Sequence, residues 1–256
     1  ENYIKYVSLV LKSFIKYHDL NKYQINFIVY NIQDHKALED IIKNVSQNIN
    51  YSIKDFIPSD EFKKLLIEYH KKYVNNKSGI FSNFANWSRF YITDLYPEIE
   101  KGLYLDLDIL FRGNIDDIFR IDLKHKPIAV ISYDYLKIKK SIEYRNNEIK
   151  EKFEKEFNIK YDKINNNYNC GVIYYNLSKL KNISNLIENI LKYQINNEKI
   201  CKIGTEPLHN ILFNDYVKLD KKYNCIPKYK ENNIMKGIII HFKGEHAYEK
   251  IIKFSW

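Results

Sequence analysis

Two carboxylates stand two residues apart in Leu103-Tyr104-Leu105-Asp106-Leu107-Asp108-Ile109-Leu110, inside a run that is otherwise apolar. On an extended strand that spacing puts both side chains on one side. Like charges held so close repel, and burying them unpaired is costly. A divalent cation removes both problems, and oxygen ligands of this kind suit magnesium or manganese shared with substrate phosphates. A bend carrying two solvated aspartates would account for the same residues without an ion. Polar groups also mark two other apolar runs. Asn169 precedes Cys170-Gly171-Val172-Ile173, and His241 ends Gly237-Ile238-Ile239-Ile240. Glycine there allows either an ordinary turn or the close approach of a ligand to the backbone, beside an amide that both donates and accepts.

These residues need elements to hold them. Ile4, Val7, Leu11 and Phe14 recur at helical spacing within 2–17, and the periodicity predicts helices over 36–48 and over 59–74, the latter with Ser59 as N-cap. Residues 83–99 read as helical until Pro97 stops them. Strands are predicted over 25–31, 102–111, 128–135, 170–177 (opening on Gly171) and 237–242. Further helices are expected within 137–165, over 178–197 and over 206–214. Such alternation predicts an α/β fold with a mostly parallel sheet covered on both faces, and ligands gather outside the carboxyl ends of its strands.

Length and composition narrow the class. A chain of 256 residues fits one domain with one sizeable core, and 45% hydrophobic residues exclude a disordered chain. No run of about 20 apolar residues would span a membrane. The start, ENYIKYVSLVLKS, lacks the cationic and apolar blocks of a signal peptide, so a cytoplasmic location is expected. Cys170, Cys201 and Cys225 form no C-x-x-C pair and read as small apolar residues in a reducing compartment. The net charge is +9, yet among 41 basic residues only Arg89, Arg112, Arg120 and Arg145 are arginine. Lysines spread along the chain make a solvated surface rather than a specific nucleic-acid site.

The run WSRFYITDLYPEIEKGLYLDLDILFRGNIDDIF (87–119) resembles the central block of the family 8 glycosyltransferases, a retaining GT-A group that includes glycogenin and lipopolysaccharide galactosyltransferases. Arg89 matches the arginine before the family's D-x-D strand, Asp106 and Asp108 match the D-x-D, and Asp116 to Phe119 match the segment that trails it. Asn169-Cys170-Gly171-Val172 resembles the N-A-G-V strand start that faces the donor sugar. Ile240-His241-Phe242-Lys243-Gly244 resembles the H-F/Y-x-G segment, which implies that His241 completes the metal shell. Asn2-Tyr3 resembles the element whose aromatic ring stacks on uracil, Tyr3 being equally at home as a helix core residue. The first strand of the nucleotide fold would then precede Glu1. The resemblance implies a single GT-A domain over 1–256 of Rossmann-like topology, with a mixed, mostly parallel sheet flanked by helices. It implies Mn2+ (or Mg2+) held by Asp106, Asp108 and His241. Donor contacts would come from Asn2, Tyr3, Asp106, Leu107, Gly171, Lys243, Gly244 and Lys250. The catalytic group would comprise Arg89, Asn169 and Glu206. UDP-glucose or UDP-galactose is the expected donor, a glycan or glycoprotein the expected acceptor, and a homodimer is compatible.

Two departures stand out. Where the family has D-Q-x-x-(L/F)-N, this chain has Thr205-Glu206-Pro207-Leu208-His209-Asn210. A carboxylate at Glu206 can oppose a developing oxocarbenium charge or attack it; as a first-turn residue it also suits a helix dipole. After Gly244 the family's diphosphate-clamping lysine is out of place, leaving Lys243 or Lys250 as substitutes. Two other readings stay open: an aspartyl-phosphate phosphatase, whose first motif is also apolar-D-x-D, and a silent nucleotide-sugar or glycan-binding module.

Overall fold

The computed structural model describes residues 4–32, 35–73, 84–133, 147–159, 167–197, 205–227 and 236–242. Helix α1 (Ile4–Ile15) buries Val7, Leu11 and Phe14, the stripe its spacing foretells. It leads through a short turn into β1 (Ile25–Val29), α2 (Lys36–Val45) and β2 (Tyr51–Asp55). β1 and β2 pair in parallel, and the valine, leucine and isoleucine faces of β1, α1 and α2 close one small core between them. β2 was not expected: Tyr51-Ser52-Ile53-Lys54-Asp55 carries too little apolar surface to announce a strand, and its residues are only partly covered.

Helix α3 (Asp60–Tyr73) starts where Ser59 predicts. The Ser59 hydroxyl accepts from the Phe62 amide at 3.0 Å, and Phe62, Leu65, Leu66 and Tyr69 face inward. The next helical stretch differs from expectation. Residues 84–90 wind as a 3-10 helix and only α4 (Ile92–Leu95) is α-helical before Pro97. Here the Ser88 hydroxyl and the Arg89 Nε donate to the carbonyls of Ala85 and Asn86, three residues back, which competes with the α-helical bonds.

The central sheet is β3 (Lys101–Leu105), β6 (Asn167–Asn176), β5 (Ile128–Tyr133) and β7 (Val217–Lys218), in that order. Successive side chains of β5 and β6 alternate between two cores. Ile128, Val130, Ile173 and Tyr175 pack toward α3, α7 (Ile183–Asn196) and α8 (Thr205–Leu212). Ala129, Ile131, Val172 and Tyr174 pack toward Phe14, Ile115 and Tyr223. Both faces are therefore buried, as the continuous apolar runs require. The α/β class and mixed sheets flanked by helices agree with the sequence, but the parallel share is smaller than expected. β6 runs antiparallel to both β3 and β5, and the parallel ladders among the described residues are β1–β2 and β5–β7. Alternation of helix and strand along a chain does not fix the direction in which each strand rejoins its sheet.

The acidic run is two strands, not one. β3 stops at Leu105, and β4 (Ile109–Phe111) pairs antiparallel with β8 (Ile239–His241) in a separate ladder. Between β4 and β5 lies the short helix α5 (Asp116–Phe119), and α6 (Asn147–Phe157) falls inside the charged stretch after β5. No helix among the described residues is long and apolar enough to cross a membrane.

Candidate metal and donor site

Asp106 and Asp108 sit in the link between the two sheets. The Asp106 amide still donates to the Gly171 carbonyl of β6 (2.8 Å), while the Asp108 carbonyl accepts from the Phe242 amide beyond β8 (2.8 Å). The side chains converge because the chain bends between two ladders, not because one strand pleats. The imidazole of His241, 1% exposed at the end of β8, completes the group. Its Nε2 lies 3.1 Å from Asp108 Oδ1 and 4.0 Å from Asp106 Oδ2. One ligand atom from each of the three residues lies within 4.8 Å of the others. Two carboxylates and one imidazole form a donor set that fits manganese or magnesium. With side chains 29% and 21% exposed, the aspartates remain reachable from solvent.

Arg89 holds the back of this group. Its side chain is 7% exposed, and the guanidinium donates to the Cys170 carbonyl at 3.3 Å and lies 3.4 Å from Asp106 Oδ1. It also stacks over the Tyr104 ring at 5.1 Å, and the Tyr104 hydroxyl donates to the same Asp106 Oδ1 at 2.9 Å. Burial pushes the Tyr104 phenol well up, so it stays a donor. One oxygen of Asp106 is thus engaged from behind, and the other faces His241. The sequence did not single out Tyr104, although its position two residues before Asp106 signals a shared side of the chain.

Gly171 lies inside β6, four residues beyond its start, and not at a turn that opens the strand. A Cβ on Gly171 would stand 2.2 Å from His241 Cε1 and 2.7 Å from its Nδ1. The glycine therefore makes room for the histidine ring. Around it, Asn169 Oδ1 accepts from the Gly171 amide (3.0 Å) and Asn169 Nδ2 donates to Glu206 Oε2 (2.8 Å). The Cys170 amide reaches that same carboxylate oxygen at 3.4 Å. The two expected sugar-facing residues, Asn169 and Glu206, are thus in direct contact.

Helix α8 presents Glu206 from its first turn and is fastened to β6 by its neighbours. Asn210 pairs with both backbone groups of Tyr168, accepting from the amide and donating to the carbonyl, each at 3.0 Å. His209 is fully buried, with Nδ1 2.8 Å from the Tyr168 hydroxyl and Nε2 2.7 Å from that of Tyr175. Burial, helped by the nearby Arg89 charge, holds His209 well below its ordinary value, so the ring is neutral. Sequence reasoning also missed Asn224, whose Oδ1 lies 2.9 Å from His241 Nδ1; one asparagine among many carries no signal. Leu107 packs between the cores of α1 and β8. Asn2, Tyr3, Lys243, Gly244 and Lys250 lie outside the described residues.

A family model described as glycosyl transferase family 8 matches residues 1–247. Among curated proteins, glycosyltransferase GlyF of Streptococcus pneumoniae is 26% identical over 149 residues, covering 58% of this chain and 31% of its own length. A putative glycosyltransferase of Haemophilus influenzae is 23% identical over 217 residues, covering 79% of this chain and 54% of its own. The chain thus spans between 31% and 54% of these relatives. Among solved structures, galactosyltransferase LgtC in complex with donor and acceptor sugar analogs matches with a TM-score of 0.64 at 17% identity, over 99% of this chain and 92% of that one. An active-site mutant of LgtC, with glutamine changed to glutamate, gives 0.66 at 17% identity over 98% and 91%. At such identity the likeness speaks for the fold, which is GT-A. The family match also sets aside the aspartyl-phosphate reading of the D-x-D. Since that match runs through every element from α1 to β8, the chain belongs to glycosyl transferase family 8.

Proposed function

We propose that this protein is a metal-dependent retaining hexosyltransferase that moves a hexose from a UDP-sugar, UDP-glucose or UDP-galactose, to a glycan or protein acceptor. The observation that carries the reading is the convergence of Asp106, Asp108 and His241 within a family 8 chain. A divalent cation bound there would neutralise diphosphate oxygens and act as a Lewis acid toward the leaving nucleotide. Arg89 and Tyr104 engage one oxygen of Asp106, which orients that carboxylate. Asn169 holds the Glu206 carboxylate beside the strand where the family resemblance places the sugar. Negative charge fixed at that place favours a sugar carbon that becomes cationic. One of the LgtC structures carries glutamate for glutamine as an active-site mutation; this chain has glutamate natively where the resemblance expects glutamine.

For Glu206→Gln the expected result is slower transfer, by about 10- to 1,000-fold, with activity still measurable, because an amide keeps the contact to Asn169 but not the charge. Complete loss, together with a hexose adduct trapped on Glu206 of the native protein, would instead establish a covalent route.

The reading is tested by melting the protein with UDP-, GDP- and CMP-sugars, with and without Mn2+, and by following donor hydrolysis in the same samples. A ligand at about 100 times its dissociation constant stabilises by about 2.7 kcal/mol, which is a rise of several degrees at this size. The shift is expected for a UDP-sugar with Mn2+ only. A shift without hydrolysis or transfer would favour the silent binding module, and no shift with any UDP-sugar would remove the donor assignment.

A further inference from the structure

We infer that Asn224 is a positioning residue, which selects the imidazole nitrogen that His241 offers to the aspartates and links that ligand to Glu206 through Asn169. The inference rests on the metal-site reading above. The contacts form a line: Glu206 Oε2 to Asn169 Nδ2 at 2.8 Å, Asn169 Oδ1 to Asn224 Nδ2 at 3.2 Å, Asn224 Oδ1 to His241 Nδ1 at 2.9 Å. Amide oxygens and nitrogens, and histidine tautomers, take their assignment from the network around them. Here one backbone group fixes the whole line. The Gly171 amide can only donate, so the Asn169 atom 3.0 Å from it is the oxygen. That leaves the Asn169 nitrogen for the carboxylate of Glu206, which only accepts. Asn224 must then donate to the Asn169 oxygen, so its own oxygen is what faces His241. Nδ1 therefore carries a proton, and Nε2 is the nitrogen turned toward Asp108 and Asp106.

Reversing any amide would set two acceptors or two donors against each other. The cost of that is high, because Asn169, Asn224 and His241 are 4%, 0% and 1% exposed. Asn224 is itself placed by β8. The amide of the next residue, Cys225, donates to the Ile239 carbonyl (2.8 Å), and the His241 amide donates to the Cys225 carbonyl (2.9 Å). A histidine whose second nitrogen is held in this way is fixed in both tautomer and ring angle, which is how outer partners tune a metal ligand. The same line means that a change at Asn224 reaches the Glu206 carboxylate as well as the metal ligand.

The test uses two variants and one property of the native protein. Asn224→Ala is expected to weaken Mn2+ binding, read by electron paramagnetic resonance of free Mn2+ on samples shown to be folded, by about 10- to 100-fold. Asn224→Asp keeps an acceptor for His241 but loses the donor to Asn169. It should bind Mn2+ within about threefold of wild type and yet transfer sugar with a kcat lowered tenfold or more. In the metal-free native protein, long-range nitrogen–proton NMR of His241 should show a proton on Nδ1, the signal being assigned by its loss in His241→Asn. An Nδ1 without a proton, unchanged Mn2+ affinity in folded Asn224→Ala, or equal losses of affinity in both variants would overturn the inference. Should Asn224→Ala not fold, the tautomer and the aspartate variant decide. A wild type that takes up no Mn2+ would remove the metal reading, while the tautomer would still decide the role of Asn224.

Discussion

Asp108→Asn is expected to lower sugar transfer by at least about 1,000-fold while the protein melts at the wild-type temperature or slightly above it. The variant keeps the volume and one oxygen, and removes one of two like charges that converge on His241. Loss of function without loss of stability is what a metal ligand should show. Asp106→Asn should cost as much activity but should behave differently on heating. Asp106 is the carboxylate beside the buried Arg89 guanidinium and accepts from Tyr104. Weakening a hydrogen-bonded partner of a buried charge costs about 1–3 kcal/mol, discounted here because the Asp106 side chain is 29% exposed. A fall of about 2–8 °C in Tm follows at this chain length. Activity and melting curves of the two variants, taken side by side, check the difference. Equal stability of both would mean that Arg89 does not depend on Asp106.

The second large effect is expected at Gly171→Ala. A single methyl there would stand 2.2 Å from His241 Cε1 and 2.9 Å from its Nε2, so the ring has to leave its place. The backbone itself lies in an ordinary strand region that alanine adopts. Mn2+ affinity should fall by about 10- to 100-fold, and the crowding should cost about 1–3 kcal/mol. In a His241→Ala background the clash disappears, so the same methyl should then cost nearly nothing in stability. Such non-additivity is the mark of two residues in direct contact. An additive result would mean that Gly171 serves some purpose other than admitting the imidazole.

Much of this site was legible before any coordinates, and the reasons are local. Asp106 and Asp108 interrupt an apolar run, His241 ends another, and Ser59, Pro97 and the stripe of α1 act through chemistry within a few residues. What the sequence hid depends on contacts across the fold. The run 102–111 reads as one strand, because nothing local says that β3 pairs with β6 and β4 with β8. Gly171 reads as a turn or a ligand approach, and the atom that approaches it is a histidine 70 residues later. Residues 84–90 have helical spacing, yet side-chain bonds from Ser88 and Arg89 tighten them into a 3-10 helix. Asn224 and Tyr104 act on other protein groups, so their types alone announce no chemistry.

The most direct measurement is anomalous diffraction at the manganese edge from crystals grown with Mn2+ and UDP. The account predicts one strong peak within bonding distance of Asp106, Asp108 and the Nε2 of His241. UDP bound with the metal elsewhere, or with these three side chains turned apart, would contradict it.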